Sequence, residues 1–406
     1  MIRALLAAAA LLAAAPTPAQ IPIAYIDPMT GPFANIGMQG LTHFQAIVDR
    51  INAAGGVLGG QKLEVVVFDN KGSPQDSLIA FQSVVDKGIR FITQGNGSGV
   101  AAALVDAVNK HNARNPDKAV LYLNYAAVDP DLTNAKCSFW HFRFDANTDQ
   151  KMRVITDLLA RQPQVKKVYL IGQDYAHGHQ VAKAAVEMLK AKRPDVQIVG
   201  NDLHPIGRVK DFSPYVAKMV AAGADVVITG NWGNDVTLLV KAAKEGGLKA
   251  KFYTYYGGGL GVPAAVNDAG IDHLVQVTEW HKNLEPNPTL PYALAYKKKY
   301  KFDFYYLRIN NEMLMLAKAI DQAKSADPRK VALALEGMKL ASDTGEVWMR
   351  KEDHQLMQPL FVSTFEKAGT PGAKYDIDDT GYGFRTDHAV AAADTVLPTT
   401  CKMERP

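Results

Sequence analysis

Three short stretches of this chain combine residue types suited to holding a small molecule. In Gly95-Asn96-Gly97-Ser98-Gly99, between a β-branched run and an amphipathic one, the glycines leave backbone N–H groups uncovered beside the Ser98 hydroxyl. Such a loop suits a carboxylate held at a helix N-terminus, although an ordinary glycine-rich turn capped by Ser98 would read the same way. In Asn124-Tyr125-Ala126-Ala127-Val128, the small Ala126 and Ala127 let a ligand approach the backbone, or simply let a strand pack on a helix. Trp232 beside Asn231 offers a face for stacking and an amide for hydrogen bonding. The competing reading is a partly buried core tryptophan.

Other patterns argue against catalysis. His177 and His179 stand two residues apart, which is not a helical metal-ligand spacing, and no cysteine or carboxylate cluster accompanies them. No metal and no cofactor are expected. Gly257-Gly258-Gly259-Leu260-Gly261 imitates part of a dinucleotide fingerprint, but it does not open the first βαβ unit and lacks the later acidic residue. Ser98 does not lie in a G-x-S-x-G elbow, and no P-loop is present. An α/β enzyme is therefore the remote alternative. The chain's two cysteines, Cys137 and Cys401, would tie the C-terminal tail to the middle of the chain if bonded, restricting the unfolded state by about 4 to 5 kcal/mol. Two unpaired thiols are the alternative.

The elements that must position these groups alternate in parallel βαβ order from Ile21 onward. Strands are expected at Ile21–Ile26, Leu63–Phe68, Phe91–Thr93, Val120–Leu123, Lys167–Ile171, Val196–Asn201, Asp225–Thr229, Lys251–Tyr255 and Leu274–Thr278. Helices are expected between them, and nearly every stretch named above follows a strand. In open α/β sheets ligands bind outside the carboxyl ends of the strands, so these loops should converge. After Pro286 the rhythm breaks. A longer helix follows from Asn311, preceded by Tyr305, Tyr306 and Asn310, which read first as structural. Glu346–Phe365 reads as antiparallel strands, and 368–406 as an irregular wrap.

With 406 residues, two domains of ordinary size are expected. A composition 48% hydrophobic and 21% charged is that of a globular protein, and a net charge of +4 with scattered lysines does not indicate a nucleic-acid partner. Met1–Ala19 reads as a secretory signal: Arg3 near the start, an Ala/Leu run too short to span a bilayer, and small residues Thr17 and Ala19 placed for cleavage after Ala19. The protein is expected in the periplasm.

The opening Ile26-Asp27-Pro28-Met29-Thr30-Gly31-Pro32-Phe33-Ala34, then Asn52–Gly60 and Phe68-Asp69-Asn70, resembles that of the branched-chain amino-acid type of periplasmic binding protein, the solute-capturing component of ABC importers. Further matching stretches lie at Gly95–Gly99, Ala126–Thr133, Tyr175–Gly178, Val209–Phe212 and Gly230–Gly233. The resemblance covers roughly 21–366. It implies α/β architecture with two doubly wound, Rossmann-like lobes joined by three hinge crossings, expected near Arg143–Asp145, Thr278–Trp280 and Gly345–Val347. One lobe would hold 21–143 and 279–345, the other 144–278 and 346–367. The ligand would lie between them against Asn96, Ser98, Tyr125, Ala126, Ala127, His177, Trp232 and Tyr256, and membrane permease subunits would be the partners. A ligand sensor reporting to a receptor or regulator would use the same cleft. The family's amino-acid binders carry a hydroxyl residue where this chain has Val128, and an acid for the ligand ammonium where it has Tyr256. The expected solute is therefore an aromatic or aliphatic carboxylate, or a small amide, ahead of an amino acid, which stays the alternative.

Overall fold

The computed structural model describes residues 20–259 and 261–406. The signal segment expected over Met1–Ala19 lies outside them. Near-continuous aliphatic runs form strands that helices cover on both faces, as parallel sheets require. The chain opens with β1 (Ile21–Asp27), α1 (Ala34–Ala53), β2 (Leu63–Asp69), α2 (Pro74–Asp86) and β3 (Phe91–Gln94). It continues through α3 (Ser98–Arg114), β4 (Leu121–Asn124) and β5 (His141–Arg143). These strands make one parallel sheet in the order β2-β1-β3-β4-β5.

The second half repeats the pattern. After α4 (Thr148–Leu159) come β6 (Lys167–Gln173), α5 (Ala176–Lys192), β7 (Gln197–His204), α6 (Ser213–Ala222) and β8 (Val226–Thr229). Then follow α7 (Asn234–Glu245), β9 (Lys251–Thr254), α8 (Val262–Val266) and β10 (Leu274–Thr278). The parallel order β7-β6-β8-β9-β10 matches that of the first sheet strand for strand. Each strand order reverses direction beside its first strand, the place where doubly wound sheets leave a crevice.

The remaining chain serves both lobes. Helices α9 (Leu290–Tyr300), α10 (Leu307–Ala323) and α11 (Pro328–Leu335) bury apolar faces in the first lobe: Ile309, Met313, Leu316 and Val331 pack with Tyr25, Phe44 and Phe142, and Tyr296 packs with Ala46. The strands β11 (Lys339–Ser342), β12 (Gly345–Met349) and β13 (Leu356–Met357) form a small antiparallel sheet. Val347, Met349 and Leu356 belong to the same first-lobe core. Val347, in the stretch expected as the third crossing, thus packs in the first-lobe core, and the next strand, β14 (Leu360–Lys367), pairs with β10 of the second sheet. The hydrophobic alternation of 346–365 does not show which core each strand joins. The tail also departs from the irregular wrap expected of it, because β15 (Tyr382–Val390) pairs antiparallel with β14 at the edge of the second sheet.

Beyond β15 the chain runs back across the hinge. Gln150 and Arg153 of α4 donate to the carbonyls of Thr395 and Val396, and Arg350 of the first lobe donates to the Leu397 carbonyl. Thr399 then bonds Asn134, and Cys401 is joined to Cys137 by the expected disulfide.

The two lobes share one backbone requirement. A Cβ on Gly37, in the first turn of α1, would sit 1.8 Å from the Pro28 carbonyl oxygen, and one on Gly178, in the first turn of α5, 1.8 Å from that of Gln173. Both helices press against the end of the strand before them, with no room for a methyl group. Gly178→Ala is expected to destabilise the fold by about 3 kcal/mol through forced separation of α5 from β6. Chemical denaturation measures this, and an unchanged midpoint would show that the contact relaxes freely.

Candidate functional site

Loops from the carboxyl ends of both sheets line a cleft between the lobes. From the first lobe come Ile36 and Gln39 of α1, the 95–98 loop after β3, and Ala126, Ala127 and Val128 after β4. From the second come Tyr175 and His177 after β6, Trp232 and Gly233 after β8, and Tyr256, Gly259 and Val262 after β9. Tyr305, Tyr306 and Arg308 close the hinge end.

The 95–98 loop is held from below. Asp27, at the end of β1, accepts hydrogen bonds from the amides of Gly95 (3.3 Å) and Asn96 (3.0 Å) and from the Tyr125 hydroxyl (2.7 Å). Burial pushes the Asp27 carboxyl up to about 6 despite these donors. A Cβ on Gly95 would lie 2.7 Å from the Tyr125 ring, so only glycine lets the loop settle onto that tyrosine. Tyr125 is consequently beneath the cleft and not in its wall, and the Asn96 side chain donates to its hydroxyl at 2.8 Å. Two of the amides offered by the glycine-rich stretch are thus taken by Asp27. Those still open to a ligand belong to the first turn of α3, which begins at Ser98 and whose leading N–H groups have no intrahelical acceptor. The Ser98 side chain accepts from the Asp129 amide at 3.3 Å, which leaves its own proton to donate.

Opposite, His177 is fully buried with both ring nitrogens engaged, by Thr148 (3.0 Å) and the Gly230 carbonyl (3.2 Å), and burial lowers its pKa to about 4. It presents a neutral ring face to the cleft. His179 turns away to Asp174. The Trp232 indole donates to the Tyr175 hydroxyl at 2.8 Å, and its ring lies 4.5 Å from that of Phe33 in the first lobe. This aromatic pair bridges the mouth of the cleft, so the lobes are closed. Tyr256 is anchored at the hinge by Asp145 (3.4 Å), with the Lys151 ammonium 4.6 Å from its ring centre.

Of the residues anticipated from sequence, Asn96, Ser98, Ala126, Ala127, His177, Trp232 and Tyr256 line one cavity, and Tyr125 supports it from behind. Arg308 was missed. It sits in the first turn of α10, 2% exposed, and donates to Glu279 at 2.7 Å, while Asp145 lies 3.6 Å from its Nε. Asp145 in turn pairs with Lys151 at 2.9 Å. Burial works against the Arg308 charge, and Asp145 and Glu279 more than offset it, so the guanidinium holds its proton firmly. No periodicity signal distinguishes Arg308 from a solvent-facing helix residue; its only flag is its place two residues after Tyr305-Tyr306, at the helix start.

Behind the first-lobe wall, Glu312 is buried and accepts from Thr93 at 2.7 Å. Burial pushes its carboxyl up to about 8; the Thr93 hydrogen bond pulls the other way and Asp27 adds to the rise. In the unfolded chain the group loses its proton near 4.5. Across that window unfolding therefore releases a proton, and stability falls as pH rises, by up to about 1.4 kcal/mol per pH unit. Glu312→Gln, neutral at every pH, is expected to flatten this fall: relative to the parent, its melting temperature should rise between pH 5 and pH 8. Parallel melting curves would show that Glu312 is ionised in the native protein.

A family profile described as periplasmic binding protein matches residues 20–370. The Leu/Ile/Val-binding protein homolog 4 of Brucella suis biovar 1 is 32% identical over 396 residues, 95% of this chain and 92% of its own. The leucine-, isoleucine-, valine-, threonine-, and alanine-binding protein of Pseudomonas aeruginosa is 26% identical, covering 80% of this chain and 85% of its own. The closed crystal structure of the like-named protein from Brucella ovis aligns with a TM-score of 0.86 at 30% identity, over 95% of this chain and all of that one. With the twin sheets and the cleft between them, these matches establish that the chain belongs to the periplasmic binding protein family, the solute-capturing components of ABC importers.

Proposed function

We propose that the chain captures a small organic carboxylate or amide, in preference to a standard α-amino acid, and hands it to the permease subunits of an ABC importer. The observation that carries this reading is the charge of the wall: among the described lining residues Arg308 is the one charged side chain, and none is a carboxylate. The curated relatives are named for amino acids, and burying an amino acid's ammonium without an opposite charge is costly. In this reading Ser98 and the first-turn amides of α3 take the solute's carboxylate, Ala126 and Ala127 allow it close, and His177, Trp232 and Tyr256 cover its body. Asn96 and Tyr125 hold the loop in shape. The solute leaves unaltered.

The lobes comprise 21–143 with 279–357, and 144–278 with 360–390, and they rotate about Arg143–Asp145, Thr278–Trp280 and the link between β13 and β14. The mature protein works in the periplasm after removal of 1–19. Mass spectrometry of solutes retained by the purified protein tests the assignment, followed by calorimetric titration and X-ray scattering. A carboxylate or amide should bind and compact the molecule. Tight binding of leucine would overturn the ligand class, and an envelope unchanged by every retained solute would overturn capture by closure.

A further inference from the structure

Arg308 is poorly explained as structure alone. Its Nη1 is committed to Glu279, its Nε is buried without a hydrogen-bond acceptor, and no protein acceptor is found for Nη2 among the described residues. The guanidinium lies over the Tyr306 ring, 4.7 Å from its centre, and forms part of the cleft wall. A guanidinium presents paired N–H donors in a rigid fork matched to carboxylate and carbonyl oxygens. Here Nη1 is occupied and Nη2 remains, on a residue that forms part of the cleft wall.

The surrounding charges explain why the residue tolerates burial. Lys151 and Arg308 balance Asp145 and Glu279, and neither acid lines the cleft. The acids are consumed by the two bases, so what faces the solute is the positive member. An ammonium placed against Tyr256 and Arg308 would meet like charge and no free carboxylate. An oxygen placed there would find unused donors.

We infer that Arg308 is the specificity-determining residue of the cleft. It accepts solutes bearing an oxygen next to the carboxylate, such as 2-oxo acids, and turns away the corresponding 2-amino acids. This rests on the carboxylate reading above and sharpens it from a missing acid to a present base.

The test uses matched head groups on two carbon skeletons with the unaltered mature protein: leucine, 4-methyl-2-oxopentanoate and 4-methylpentanoate, then phenylalanine, phenylpyruvate and 3-phenylpropanoate. Calorimetry should show, on at least one skeleton, the oxo acid binding at least tenfold tighter than the plain acid and at least a hundredfold tighter than the amino acid. In Arg308→Lys, which keeps the charge but loses the fork, the oxo acid's advantage over the plain acid should fall to threefold or less. Disturbed folding would weaken both acids alike and leave their ratio unchanged. An amino acid that binds as well as its oxo partner overturns the inference, as does an oxo-acid advantage that survives in the lysine variant. Failure of all six compounds also overturns it, while compaction by some other retained carboxylate would leave the carrier reading intact.

Discussion

Trp232→Ala is expected to weaken solute binding about thirtyfold or more, a loss of about 2 kcal/mol, and to favour the open form. The indole has two attachments: a hydrogen bond to Tyr175 within its own lobe, and the 4.5 Å approach to the Phe33 ring across the cleft. The first persists when the lobes part, and the second exists only when they meet. Contacts made in one state alone shift the equilibrium toward that state, so the truncation penalises closure twice, through the lost pair with Phe33 and through the lost cover over the solute. A double-mutant cycle with Phe33→Ala separates these effects. Part of the Trp232 loss should vanish in the Phe33→Ala background, as for a tilted aromatic pair contributing about 1 kcal/mol. An affinity untouched by either change would remove both residues from the closing surface.

The second large effect concerns the covalent link. Replacing Cys137 and Cys401 by serine frees a tail otherwise closed over a sequence separation of 264 residues. In the chain-entropy account this costs about 5 to 6 kcal/mol of stability, because the unfolded ensemble regains the freedom the bond removed. Guanidinium titration of the double variant under non-reducing conditions should show a lower midpoint, and each single variant should match it. A midpoint equal to the parent's would mean that the tail detaches without consequence for the cores.

Much of this architecture is legible in the amino-acid order because parallel strands leave strong local marks. Leu121-Tyr122-Leu123, Val226-Val227-Ile228 and Leu274-Val275-Gln276-Val277 are buried on both faces and so read as apolar runs. The loops after them carry glycine, alanine or aromatic residues and converge on one cleft, which is why most of its wall could be anticipated. Three things could not. His141–Arg143 is a strand of three residues whose pairing partner β4 lies seventeen positions upstream or more, and nothing local announces it. The lobe that claims β12 depends on whether Val347 and Met349 meet Leu335 or the second core, a long-range choice. Arg308 looks like an ordinary polar helix residue until Glu279, and Asp145 with Lys151, arrive from two other segments. Tyr125 shows the converse: its loop lines the cleft, but its side chain is drawn inward by Asp27.

The returning tail has a mechanical meaning. Since 391–400 leaves the outer strand of one half and leads to Cys401, which is bonded to Cys137 of the other, the proposed rotation about three crossings would have to be absorbed by a fourth stretch of backbone as well. Fully stretched, those ten residues reach roughly 35 Å, so the bond itself sets no tight ceiling on the swing. Resistance instead comes from the anchors at Thr395, Leu397 and Thr399, which must either ride along with one half or let go. The tail thus behaves as a slack cord pinned by weak stitches, and stitch strength can tune the ease of opening at a distance from any surface the solute touches.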